Sequence, residues 1–164
     1  MNASFVIDHL TGATNASYKT SLYKNNLCNV VLYLDNDEAG RKGIEDALRK
    51  GIIKETEYVI SNCKGMKNSE LEDLISFETY KDMIKLEYGI NLNVSEFKSN
   101  GKQWSDRVRD VFQTNGKMWN SKIESDIKYK VAKIAITQKT DSLNPHKTNS
   151  IDALIRTLES FLQA

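Results

Sequence analysis

A single proline and two cysteines stand among 164 residues, and each scarcity removes a class of protein. With one proline and eight glycines, long disordered linkers are not expected, and no low-complexity tract interrupts the chain. Cys28 and Cys63 are too few and too far apart to build a zinc site. Cys28 lies in an apolar stretch, where it is expected as a small core residue. No apolar run approaches the ~20 residues that a membrane helix needs. The N-terminus has no basic region followed by an apolar stretch, so the chain reads as cytoplasmic, with no membrane partner. Charge of one sign is missing too: 23 Lys and Arg against 22 Asp and Glu give a net +1. That balance neither demands nor excludes nucleic acid, because a local basic face can hide in it. Lys117, Lys122, Lys128, Lys130, Lys133 and Lys139 fall close together; charge alone reads them as a solvated helix surface.

What remains is ordinary globular material, 40% apolar and 27% charged, and of a length that suits one domain. Residues 4–8 (Ser-Phe-Val-Ile-Asp) suggest a short strand, and a helix over about 15–26 follows from the spacing of Tyr18, Leu22 and Tyr23. The run Asn29 to Leu34, ending at Asp35, is continuously apolar, as suits a strand buried on both faces of a parallel sheet. A helix over about 39–50 is closed by Gly51 at the left-handed C-cap position. Residues 56–61 give a third strand. This β-α-β-α-β order predicts an α/β fold: an open, mainly parallel sheet with flanking helices over 3–76, in one domain spanning 1–164. The helical remainder, 77–164, is marked by Tyr80, Ile84 and Tyr88, then Trp104, Val108, Val111 and Phe112, then Ile123 to Ala135, and last Ile151 to Leu162. Leu71, Leu74 and Ile75 suggest a shorter helix before them.

The sharpest local feature is Asp35-Asn36-Asp37-Glu38-Ala39-Gly40-Arg41. Carboxylates at i and i+2 beyond a buried strand can point the same way, at the sheet edge where open α/β folds place ligands. With no His or Cys beside them they are hard oxygen donors suited to Mg²⁺ or Mn²⁺. A lone aspartate there would be an N-cap. An EF-hand loop is excluded by Ala39 at its fifth position and by the strand in front.

The motif resembles the Asp-x-Asp-x-Ala-Gly signature of Toprim domains, found in primases, topoisomerases and OLD-family nucleases. From Ser4 to Gln138 the chain is most similar to the C-terminal nuclease region of OLD-type enzymes, which include Gabija and retron-associated antiphage effectors. The resemblance implies a Toprim (Rossmann-like) fold and Mg²⁺- or Mn²⁺-dependent cleavage or nicking of DNA, with one or two ions. Asp35 and Asp37 are its implied metal ligands. It further implies that an acid after the third strand completes the site: Glu72, with Glu70 and Asp73 as alternates. Spacing alone favours another role there, a Ser69-x-x-Glu72 capping box. On the helix over about 122–138, Lys128 and Lys130 fall on opposite shoulders of the apolar stripe, where either could keep its stem on the core. The resemblance assigns Lys128, ahead of Val131-Ala132, to offset phosphate charge in the transition state, with Lys130 as the fallback.

Toprim domains also carry a glutamate on a strand ahead of the segment matching Phe5-Val6-Ile7, and no acid here matches its context. The expectation is of a split or truncated nuclease partnered by an ATPase domain or subunit, with DNA as substrate; a homo-oligomer is compatible. A primase- or topoisomerase-like module is one rival, disfavoured because the glycine- and proline-rich elements expected after the acidic turn are absent. An inactive fragment that binds nucleic acid or a partner ATPase is the other.

Overall fold

The computed structural model describes residues 5–98 and 101–162. The chain divides into two compact units: one runs to Asn62 and resumes at Asn149, and the other spans Cys63–Thr148. We call them the sheet unit and the helical unit.

In the sheet unit a 3₁₀ turn, Ala13–Asn15, leads into α1 (Ala16–Asn25). Strand β1 (Leu32–Asp35), helix α2 (Glu38–Arg49) and strand β2 (Tyr58–Ser61) follow. The strands are parallel, with Leu32 opposite Tyr58 and Asp35 opposite Ser61. A helical crossover is the connection that parallel neighbours require, and α2 supplies it. Both ends of α2 are written in the sequence. The Asp37 side chain accepts the Gly40 amide at 2.6 Å. At the other end Gly51 takes φ +66°, its amide bonds Leu48 O at 2.9 Å, and that of Ile52 bonds Ala47 O at 2.9 Å, the two-bond Schellman closure. The core is small: Ala16, Leu32, Leu34, Ile44, Ala47 and Ile53. The C-terminal helix (Asn149–Leu162, numbered α7 below) packs on β2.

The expected strand at 4–8 does not form. Ser4 lies outside the described residues, and 5–8 have no regular structure, with Val6 91% and Ile7 88% exposed. Polar contacts hold the segment instead: Asp8 pairs with Lys19 at 2.8 Å and accepts the Tyr23 hydroxyl, and Lys19 also donates to His9 O at 2.5 Å. Cys28 is exposed rather than buried, because β1 begins only at Leu32 and Cys28 sits in the turn that ends α1. Among the described residues the sheet is thus a two-stranded parallel one within a mixed α/β chain.

In the helical unit a 3₁₀ turn, Leu71–Leu74, stands where the short helix was expected. Helices α3 (Phe77–Tyr88), α4 (Ser95–Lys98), α5 (Trp104–Thr114) and α6 (Ser121–Gln138) follow, and then a 3₁₀ turn, Lys139–Ser142. The expected helices are present, and α4 is an addition. Asn120 starts α6 by accepting the Ile123 amide at 3.0 Å. Tyr80, Ile84, Trp104, Val108, Phe112, Ile127 and Val131 are buried together. Tyr80 meets Trp104 edge-on at 6.0 Å between ring centres, and Phe112 meets Trp119 at 5.0 Å. Among the described residues no helix is long and apolar enough to cross a membrane.

Candidate functional site

The residues singled out from the sequence fall in both units. In the sheet unit, Asp35 is the last residue of β1, and Asp37 is the extended residue capping α2. Both are half-buried. Gly40 explains why this turn is so tight. A Cβ on Gly40 would sit 2.1 Å from the Asp35 carbonyl oxygen, so only glycine lets the first turn of α2 close against the strand end. Arg41 reaches back to Asn36 Oδ1 at 2.9 Å. Asp37 is therefore an N-cap through Oδ1, while its Oδ2 accepts no hydrogen bond among the described residues. The cap thus engages one of the two oxygens of this side chain.

In the helical unit the second acidic cluster separates into distinct roles. Asp73 is buried and structural. It pairs with Arg107 and accepts the amides of Glu70 at 2.9 Å and Trp104 at 3.1 Å. Burial pushes its carboxyl above the usual aspartate range, against the opposing pull of those amides and of Arg107. Arg107 in turn donates to Phe97 O at 2.6 Å and lies over the Phe97 ring at 4.6 Å. Glu70 is buried too, and its carboxylate accepts the Ser105 amide at 2.9 Å, the Ser105 hydroxyl at 2.7 Å and Gln103 Nε2 at 3.0 Å.

The alternative of a Ser69-x-x-Glu72 capping box is displaced by one residue. Asp73 reaches back to the Glu70 amide, whereas Ser69 Oγ accepts the Cys63 amide at 3.1 Å. Glu72 instead faces Lys128. The Lys128 ammonium lies 3.4 Å from Glu70, 3.9 Å from Glu72 and 3.5 Å from Glu124. The helical unit thus brings together Lys128, Glu70 and Glu72, all three named from the sequence. Lys130 goes elsewhere: it pairs with Glu87 at 2.5 Å and Asp126 at 2.8 Å and bonds the Tyr88 hydroxyl at 3.1 Å. Those partners, Asp126 foremost, hold its ammonium protonated well above the ordinary lysine range.

Sequence reasoning missed Glu124, Gln103 and Ser105. Glu124 was accessible to it, because Glu and Lys four apart on a helix are neighbours. Gln103 and Ser105 lie 33 and 35 residues from Glu70, and no local pattern signals such a contact. Among the described residues no group of three or more His, Cys, Asp or Glu side chains is gathered to hold a metal ion. Comparisons with protein-family models, with curated proteins and with solved structures find no match to this chain.

Proposed function

We propose that the chain is the Mg²⁺-dependent phosphodiester-cleaving part of a DNA endonuclease or nickase of OLD type, with the Toprim fold that this implies. The observation that carries the reading is the Asp35–Gly40 turn: two carboxylates at the end of a parallel strand, held in place by a glycine whose Cβ would strike Asp35 O. Two carboxylates suit Mg²⁺ without a protein cage, because this ion keeps several waters and takes one or two carboxylates plus substrate phosphate. Asp37 offers Oδ2 to the ion while Oδ1 maintains the cap. A bound Mg²⁺ would polarise a phosphodiester and acidify a water.

The chain's own residues then divide the work. Asp35 and Asp37 supply the ligands. Lys128 offsets phosphate charge, with a phosphate oxygen replacing one of the carboxylates that now surround its ammonium. Glu70, fixed by Ser105 and Gln103, keeps the lysine end from drifting. Antiphage defence with an ATPase partner is the setting this reading implies.

The test is nicking of supercoiled plasmid in Mg²⁺ by the full chain, alone and with an ATPase subunit. Asp37→Asn should abolish nicking while keeping the cap, since asparagine caps as well as aspartate. Lys128→Ala should do the same with the melting temperature held within ~1–2 °C. Nicking that survives both substitutions would overturn the assignment, and DNA binding with no cleavage under any condition would favour a binding module.

A further inference from the structure

We infer that the outward face of α6 is a binding surface for single-stranded nucleic acid, with Lys122 and Lys133 on the phosphates and Tyr129 stacked on a base. The inference rests on the DNA substrate proposed above and names a surface for its unpaired stretches. At ~100° per residue, Lys122, Tyr129, Lys133 and Ile136 fall within ~60° of one another on the helix. All four are exposed, Tyr129 at 67% and Ile136 at 77%.

Charge on this helix is sorted rather than merely dense. Its two acids pair with its own lysines, Glu124 with Lys128 at 3.5 Å and Asp126 with Lys130 at 2.8 Å, and Glu70, Glu72 and Glu87 share those lysines. Lys122 and Lys133 form no ion pair among the described residues, so they are the cations that this face presents outside those pairs. These cations stand about 16 Å apart along the helix axis with the aromatic ring between them. A cation pair that tracks a backbone, with an exposed aromatic between, is how unpaired strands are held without sequence preference. Tyr129 and Ile136 place an exposed ring and an aliphatic side chain beside the lysines.

The test uses the full chain and fluorescence anisotropy with a labelled oligonucleotide, single-stranded and duplex, in EDTA so that cleavage plays no part. Lys122→Ala/Lys133→Ala should weaken binding and flatten the dependence of log K on log salt by about 1.4, at ~0.7 per phosphate contact on a single strand. Tyr129→Ala should weaken single-strand binding roughly ten-fold with the duplex less affected. Leu86→Ala, which alters an exposed apolar residue on α3, should change neither. Unchanged affinity and salt slope in the α6 variants would overturn the inference. So would concentration-dependent sedimentation that Tyr129→Ala abolishes while nucleic-acid binding stays intact, because the face would then pair two copies of the chain. Cleavage that needs Asp37 but ignores the α6 variants would remove this surface and leave the nuclease reading standing. Binding without cleavage would do the reverse.

Discussion

The sheet unit and the helical unit solve the problem of stability differently. The helical unit buries a continuous cluster of twelve residues that includes Trp104, Phe112, Tyr80 and Phe97. It also buries the Arg107–Asp73 pair with its hydrogen bonds. The sheet unit's cluster has six buried residues, none aromatic. The stripe of α7 is only partly covered, with Ile155 and Leu162 exposed and Ser150 the helix's buried residue among those described. Two strands alone are a marginal sheet. The acidic turn therefore sits on the more weakly packed unit, and the charge-bearing α6 on the better packed one. A site on a weakly packed element gains stability when its ligand binds, because ligand that binds only the folded form shifts the equilibrium toward it.

The largest effect should come from the helical unit. Arg107→Ala leaves the Asp73 carboxylate buried without its cation, and breaking such a pair costs about 3–5 kcal/mol. Urea unfolding followed by tryptophan fluorescence should show this loss, since Trp104 and Trp119 both lie in that unit. A change under 1 kcal/mol would mean that the pair is not the clamp described here. The sheet unit should respond most to Gly40→Ala, whose Cβ would meet Asp35 O at 2.1 Å. Overpacking of that kind costs about 1–3 kcal/mol. Hydrogen exchange should localise the damage to β1 and α2; uniform exchange across both units would blur the contrast drawn above.

How much of this could be read in advance depended on how local each signal was. The apolar run into Asp35, the Asp37 cap and the Gly51 closure are each complete within a few residues, and β1 and α2 formed where they were expected. Helix α1 was legible, but its packing face was not. Tyr18 and Leu22, which suggested the helix, are exposed, and Ala16, Ser17 and Thr20 make the contacts. Small residues carry little periodic signal, yet they allow close approach, as where Gly43 leaves room for Ala13 O. The segment 5–8 has strand-like composition, but a strand also needs a partner edge, which composition does not encode. In the site, Lys128 and Glu72 were named from a resemblance and are brought together. The Ser105 and Gln103 contacts that fix Glu70 depend on where the start of α5 is placed, which the sequence order of the elements leaves open.

The smallest effect is in pH. Hydrogen bonds from Lys50, then Ser17, then Arg49 hold the Asp46 carboxyl well below the usual aspartate range. A depressed folded value means the contribution is present above the unfolded aspartate value of ~3.9 and is lost as pH falls through the folded one. Asp46→Asn should therefore lower the sheet unit's stability slightly near neutrality and flatten its acid limb, so that the variant and the wild type converge at low pH. An unaltered acid limb would remove Asp46 as the bond between α1 and α2.

The central claim is that Asp35 and Asp37 hold a divalent cation. The direct measurement is Mn²⁺ titration followed by NMR, comparing the wild-type chain with Asp35→Asn/Asp37→Asn, in which asparagine keeps the α2 cap. Amides of the Asp35–Gly40 turn should broaden first in the wild type, and that selective broadening should vanish in the double variant with the rest of its spectrum retained. Broadening that begins elsewhere, or that persists unchanged in the double variant, would contradict the account.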